Sequence, residues 1–229
     1  MNYSMVKSLI LKDWYFQRTT ILLSLAGGAA SLAIVIFGGQ PGFMIGLILL
    51  VTILAMISGM TVMNNVLGER ENHTLPFLMS LPISYLEYTT SKILGALIIF
   101  VPFWMAIVAG CLGLILVAPV IHGLFAFTVI MAVEMLVSNC LLIAVALVTE
   151  SKGWSIAAMV TGNVAISLVG YIVAHIPGIR DNMWGANGAW STTIRWSPAA
   201  SISLAVEFAL IALFLGGAFF IQSRKRDFI

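Results

Sequence analysis

Glu69-Arg70-Glu71-Asn72-His73-Thr74-Leu75-Pro76-Phe77-Leu78-Met79-Ser80-Leu81-Pro82 is a dense polar island set between two long apolar segments. The whole chain is 61% hydrophobic and only 9% charged, with a mean hydropathy of +1.07. A soluble domain carries about 25% charged residues, so this chain has too few charges to cover a water-facing surface. Its main solvent is lipid. Charges cluster in such a chain only where they meet water or a partner, which singles out the island as an interaction segment.

Outward from the island, apolar runs fall at about 19–37, 43–67, 93–118, 124–149, 154–176 and 200–221. Each is near the roughly 20 residues that a spanning helix needs. All are too long for barrel strands, and none alternates apolar and polar residues. The expected fold is all-α: one polytopic membrane domain over 1–229 with six transmembrane helices. The N-terminal stretch carries Lys7, Lys12, Asp13 and Arg18 where a cleavable signal has its apolar core, so the first span is expected to serve as its own insertion signal. Residues 5–18 read as an amphipathic helix on the membrane surface, with a plain extension of the first span as the alternative.

Six spans put both termini on one side. Of the eleven Lys and Arg, nine fall in the segments on that side, and Arg180 and Arg195 lie opposite. The positive-inside rule then predicts cytoplasmic termini and a cytoplasmic island. Within the island, Thr74 suits a helix N-cap and Pro76 a first turn, and Leu75, Phe77, Leu78 and Leu81 supply an apolar side. Ser84-Tyr85-Leu86-Glu87 reads as a capping box opening the third span. On the opposite side, Pro177 to Pro198 holds Trp184, Trp190 and Trp196. That density suits the headgroup layer, either as a lid of short helices or as an anchoring belt. Ser197-Pro198 is a cap and first turn for the sixth span.

Enzymatic chemistry has no foothold. There is no G-x-x-x-x-G-K-[ST] phosphate loop, no H-E-x-x-H, no Cys/His cluster to hold a metal and no G-x-S-x-G elbow. Cys111 and Cys140 sit inside spans and read as small apolar packing residues. Glu134, near the middle of the fourth span, and Glu207, in the sixth, are expensive in hydrocarbon. Each is either a neutral carboxyl bonded to a neighbour such as Asn139 or Asn163, or part of a hydrated substrate path that includes Asn139. The pairs Ala26/Ala30, Gly42/Gly46, Ala106/Gly110 and Ala158/Gly162 allow close helix approach, mostly as internal packing.

Glu69-Arg70-Glu71-Asn72-His73-Thr74-Leu75, then Ser80-Leu81-Pro82-Ile83-Ser84, then Lys92, resembles the inner-loop signature of ABC-2 type exporter permeases: an acidic residue, four positions, Thr, then Ser-Leu-Pro-hydrophobic-Ser and a Lys opening the next span. The six-span plan extends the likeness over the chain. The resemblance implies a half-transporter in a bacterial cell membrane, with a second permease chain, expected as a homodimer, completing the pathway. A cytoplasmic P-loop ATPase would bind ATP and magnesium. The island becomes the coupling helix, with Glu69, Arg70, Glu71, His73, Thr74, Phe77 and Leu78 facing the ATPase. The short-chain subfamily with this loop is similar to exporters of amphipathic peptides, including the phenol-soluble modulin exporters. No catalytic residue, metal or nucleic-acid partner is expected on this chain. Alternative readings are a proton-linked secondary transporter or channel using Glu134 and Glu207, and a membrane scaffold.

Overall fold

The computed structural model describes residues 3–68, 85–184 and 190–224. Helix α1 is Tyr3–Phe37, and α2 is Gly39–Val62, which runs on into a π-helical turn at Met63–Leu67. Helix α3 is Tyr85–Val117, followed by a 3-10 turn at Pro119–Leu124 and by α4, Phe125–Thr149. Helix α5 is Lys152–His175, α6 is the short Pro177–Met183, and α7 is Pro198–Arg224. The six long helices are each apolar enough to cross a membrane. No strand occurs among the described residues; the one β-bridge joins Trp184 to Trp190.

Helix α4 is the centre of the bundle. It packs on α2, α3, α5 and α7, and Ile130, Ile143 and Ala146 along it are fully buried. Helix α7 runs parallel to it: Glu207 and Glu134, towards the middle of each helix, interact electrostatically, and Gln222 donates to the Leu147 carbonyl near the end of both. Lipid tails are as apolar as leucine, so close contact rather than the hydrophobic effect must hold such helices together. Glycines supply that contact. A Cβ on Gly46 would run into the Val35 side chain and stand 2.9 Å from the Ser31 carbonyl, and one on Gly162 would collide with Ser138. The Gly42/Gly46 and Ala158/Gly162 pairs are thus internal packing, whereas Ala26, Ala30 and Ala106 face outward.

The N-terminal segment is helical but is not a separate surface helix. It continues without a break into the first span, as its alternative reading had it. At 35 residues α1 is about 52 Å long, well beyond a hydrocarbon core of about 30 Å. The reason lies in which face is buried. Asp13 and Gln17 share one side and are buried in the bundle, while Leu11, Trp14, Tyr15 and Phe16 are exposed. The amphipathicity is inverted, polar side inward, and nothing in the stretch breaks a helix.

The turn between α1 and α2 is also tighter than the sequence suggests. Only Gly38 separates the two helices. A Cβ there would lie 2.6 Å from the Ile34 carbonyl and 2.7 Å from the Gly42 Cα. At the start of α7 the cap is as expected: the Ala200 N–H donates to Ser197 Oγ at 3.3 Å, and Pro198 occupies the first turn. Both cysteines are free thiols.

Candidate functional site

The island residues Glu69, Arg70, Glu71, His73, Thr74, Phe77 and Leu78 lie outside the described residues, as does Ser84 of the expected capping box. Residues that flank the island on both sides are described, and two of them meet. Asn65, in the π-helical turn just before it, and Lys92, in α3 just after it, form a buried polar knot with Asp13 of α1. Lys92 Nζ lies 3.3 Å from Asp13 Oδ2 and donates to Asn65 Oδ1 at 3.1 Å. Asn65 Nδ2 donates back to the Lys92 carbonyl at 3.2 Å. The Tyr88 ring stands 5.5 Å from the ammonium. Lys92 is fully buried, and a carboxylate, an amide and a ring help to hold its charge there. Gly95 makes room for the knot: a Cβ there would stand 3.0 Å from Asn65 Nδ2. π-helical turns cluster at functional sites, and this one turns Asn65 into the knot.

Three residues in the spans carried the sequence-based substrate path, and the fold divides them. Glu134 of α4 and Glu207 of α7 are both buried and interact electrostatically across the α4–α7 seam. Glu207 Oε2 has no hydrogen-bond partner among the described residues. Asn139, one turn along α4, faces another way. It accepts from Ser58 Oγ at 2.7 Å across to α2, while Asn163 donates to the Met159 carbonyl at 2.9 Å within α5. The two amides put forward as partners of Glu134 are therefore engaged elsewhere.

Asn139 opens onto a run of cavities. A small pocket of about 20 Å³ is bounded by Ser58, Phe100, Asn139 and Asn163. It shares Val51, Leu54, Met135 and Ile166 with an apolar cavity of about 220 Å³ between α2, α3, α4 and α5. That cavity shares Cys111, Phe127 and Thr128 with a third, of about 300 Å³, which reaches Val35 of α1 and ends under Met183 and Trp190. Neither Glu134 nor Glu207 lines any of the three.

The tryptophan-rich segment closes that far end. The Trp184 and Trp190 rings stack at 4.3 Å. Ser191 donates its N–H to the Met183 carbonyl at 2.9 Å and accepts from the Gly123 N–H at 2.7 Å, which ties the segment to the turn before α4. Trp196 packs edge-on against Phe125, and its indole donates to Ser201 Oγ at 2.8 Å. The segment is therefore built into the bundle end, with one short helix, α6.

Sequence reasoning missed the Asp13–Asn65–Lys92 knot, because each residue looked like part of a wet, membrane-flanking segment. A usable signal was present: Asp13 is an acid in a stretch otherwise basic, and Gln17 follows it at helical spacing on the same side. No group of three or more metal-ligating side chains exists among the described residues. In comparison with known proteins, the family model described as ABC-2 family transporter protein matches residues 8–214. No curated protein and no solved structure matches the chain.

Proposed function

We propose that this chain, which belongs to the ABC-2 family of transporter proteins and is thus a membrane component of an ABC transporter, is the permease subunit of an ATP-driven exporter of amphipathic or hydrophobic molecules such as peptides. The observation that carries the reading is the family match across 8–214 in a chain without a phosphate loop. Transport in this family draws on ATP, and a chain that cannot cradle phosphates must receive that energy from a separate ATPase. The apolar cavities support an apolar or amphipathic cargo, since the two larger ones are lined almost wholly by hydrocarbon.

In this reading the island 69–84 lies on the cytoplasmic side with both termini and docks on the ATPase, through Glu69, Arg70, Glu71, His73 and Thr74 and the apolar Phe77 and Leu78. A second copy of the chain completes the pathway in a bacterial cell membrane. The Asp13–Asn65–Lys92 knot supports the coupling role. It joins the helices that lead into and out of the island to one point on α1, so in this reading a push on the island reaches α1, α2 and α3 together. The test is the double substitution Phe77→Asp and Leu78→Asp in the permease–ATPase complex. Spans and expression are expected to stay intact while ATP hydrolysis loses its dependence on the permease. Unchanged assembly and unchanged transport would show that the island is not the docking segment.

A further inference from the structure

The run of three cavities ends, at its deep end, on an unused hydrogen-bond donor. Asn139 is 2% exposed, its Oδ1 is taken by Ser58, and its Nδ2 has no partner among the described residues. A buried amide N–H without a partner is uncommon, because it has left water and gained nothing in exchange. This one borders the 20 Å³ pocket, which has room for one small group. Val51, Leu54, Met135 and Ile166 line both this pocket and the apolar cavity of about 220 Å³, and Cys111, Phe127 and Thr128 line both that cavity and the one of about 300 Å³, so the three adjoin in a row. None of the residues lining the three cavities is an Asp, Glu, Lys, Arg or His.

We propose that these cavities form one binding chamber within a single chain for an uncharged amphipathic molecule, whose apolar body fills the two larger cavities and whose neutral hydrogen-bond acceptor, such as an amide carbonyl, sits on Asn139 Nδ2. A charged head is disfavoured, since no counter-charge lines the walls and an isolated ion in hydrocarbon is costly. The size suits a ligand of modest length, in the range of ordinary small-molecule sites. Cys111, Phe127 and Thr128 border both apolar cavities, and in the proposed chamber they mark the junction between the two. For its purpose the proposal rests on the permease reading, in which a cargo needs a resting place along the membrane.

The test uses the full chain with its ATPase partner in nanodiscs and two photoreactive probes. One is decanamide with a diazirine in mid-chain; the other is the matching decane without the amide. Peptide mapping by mass spectrometry is expected to find the amide probe on the Cys111, Phe127, Thr128 and Met131 lining. Asn139→Leu should lower that labelling about fivefold, the weight of one neutral hydrogen bond, and leave decane labelling unchanged. Cys111→Phe, which narrows the junction, should reduce labelling by both probes and keeps the test open if Asn139→Leu does not fold. Equal labelling by both probes in wild type and Asn139→Leu would overturn the proposal, leaving a space filled by acyl chains with the amide met by water. Labelling confined to outward residues such as Phe208 and Leu213 would overturn it as well. The readout needs neither ATP nor transport, so failure to find an ATPase partner would sink the permease reading and leave the labelling pattern standing.

Discussion

Lys92 has no exposed surface, and a buried ammonium is costly unless it is paired. Lys92 is held by Asp13, Asn65 and the ring of Tyr88, all of them apart from it in the sequence or a turn away. Removing one partner of a buried ion pair leaves the other charge stranded, at about 3–5 kcal/mol, whereas removing both is often close to neutral. Lys92→Met is therefore expected to lower the melting temperature of the purified chain, with Lys12, whose Nζ lies 3.6 Å from Asp13 Oδ1, keeping part of the charge balance, and addition of Asp13→Asn should recover part of the loss. Purely additive losses in thermal unfolding of the two single variants and the double would contradict the pairing. The Glu134–Glu207 seam gives a second residue-scale expectation. Neither carboxyl lines the three cavities, and glutamine keeps the shape and a hydrogen-bonding end. Glu134→Gln and Glu207→Gln should thus leave assembly and export as in wild type, and Glu134→Leu, which removes a buried carboxyl set against Glu207, should leave the melting temperature unchanged or raise it. Loss of export with intact assembly in either glutamine variant would move the transport path onto this seam.

At the scale of elements, helix identity was legible and helix contact was not. Six apolar runs gave six spanning helices, because length and hydropathy alone decide which segments suit hydrocarbon. The Ser197-Pro198 start of α7 was equally plain, since its cap is local. Residues 5–18 were harder. Periodicity marks two faces of a helix but does not say which is wet, and in lipid the polar face turns inward to Lys92. The glycine pairs show the same limit: the motif is common to all of them, but only a partner helix tells an internal contact from an outward face. That difference is measurable. Gly46→Ala pushes a methyl against the Val35 side chain and the Ser31 carbonyl, and overpacking of this kind costs about 1–3 kcal/mol. Gly113, on α3, has nothing within 4 Å of its added Cβ, and Gly113→Ala should be neutral or slightly stabilising. Thermal melting of the two variants in detergent compares them directly, and equal behaviour would contradict the α1–α2 contact.

At the scale of the whole molecule, three of the buried polar sites among the described residues stand apart from one another: the knot between residues that flank the island, a carboxyl seam between α4 and α7, and an amide beside a row of cavities. Only the first is built from residues that flank, in the sequence, the segment marked for a partner. The island's own motif was legible because partner-facing residues in a membrane protein stand out by charge. The cavities were not, since they arise where α2, α3, α4 and α5 fail to close against one another, and no single stretch of sequence records that gap. The central claim is that this chain moves cargo on energy supplied by another protein. The most direct measurement is native mass spectrometry of the full-length chain purified from its own membranes in mild detergent. The account predicts a complex holding a cytoplasmic P-loop ATPase in equal copies with the permease, and its loss in the Phe77→Asp, Leu78→Asp variant. A chain that purifies without an ATPase and still transports in proteoliposomes on a proton gradient alone would contradict it.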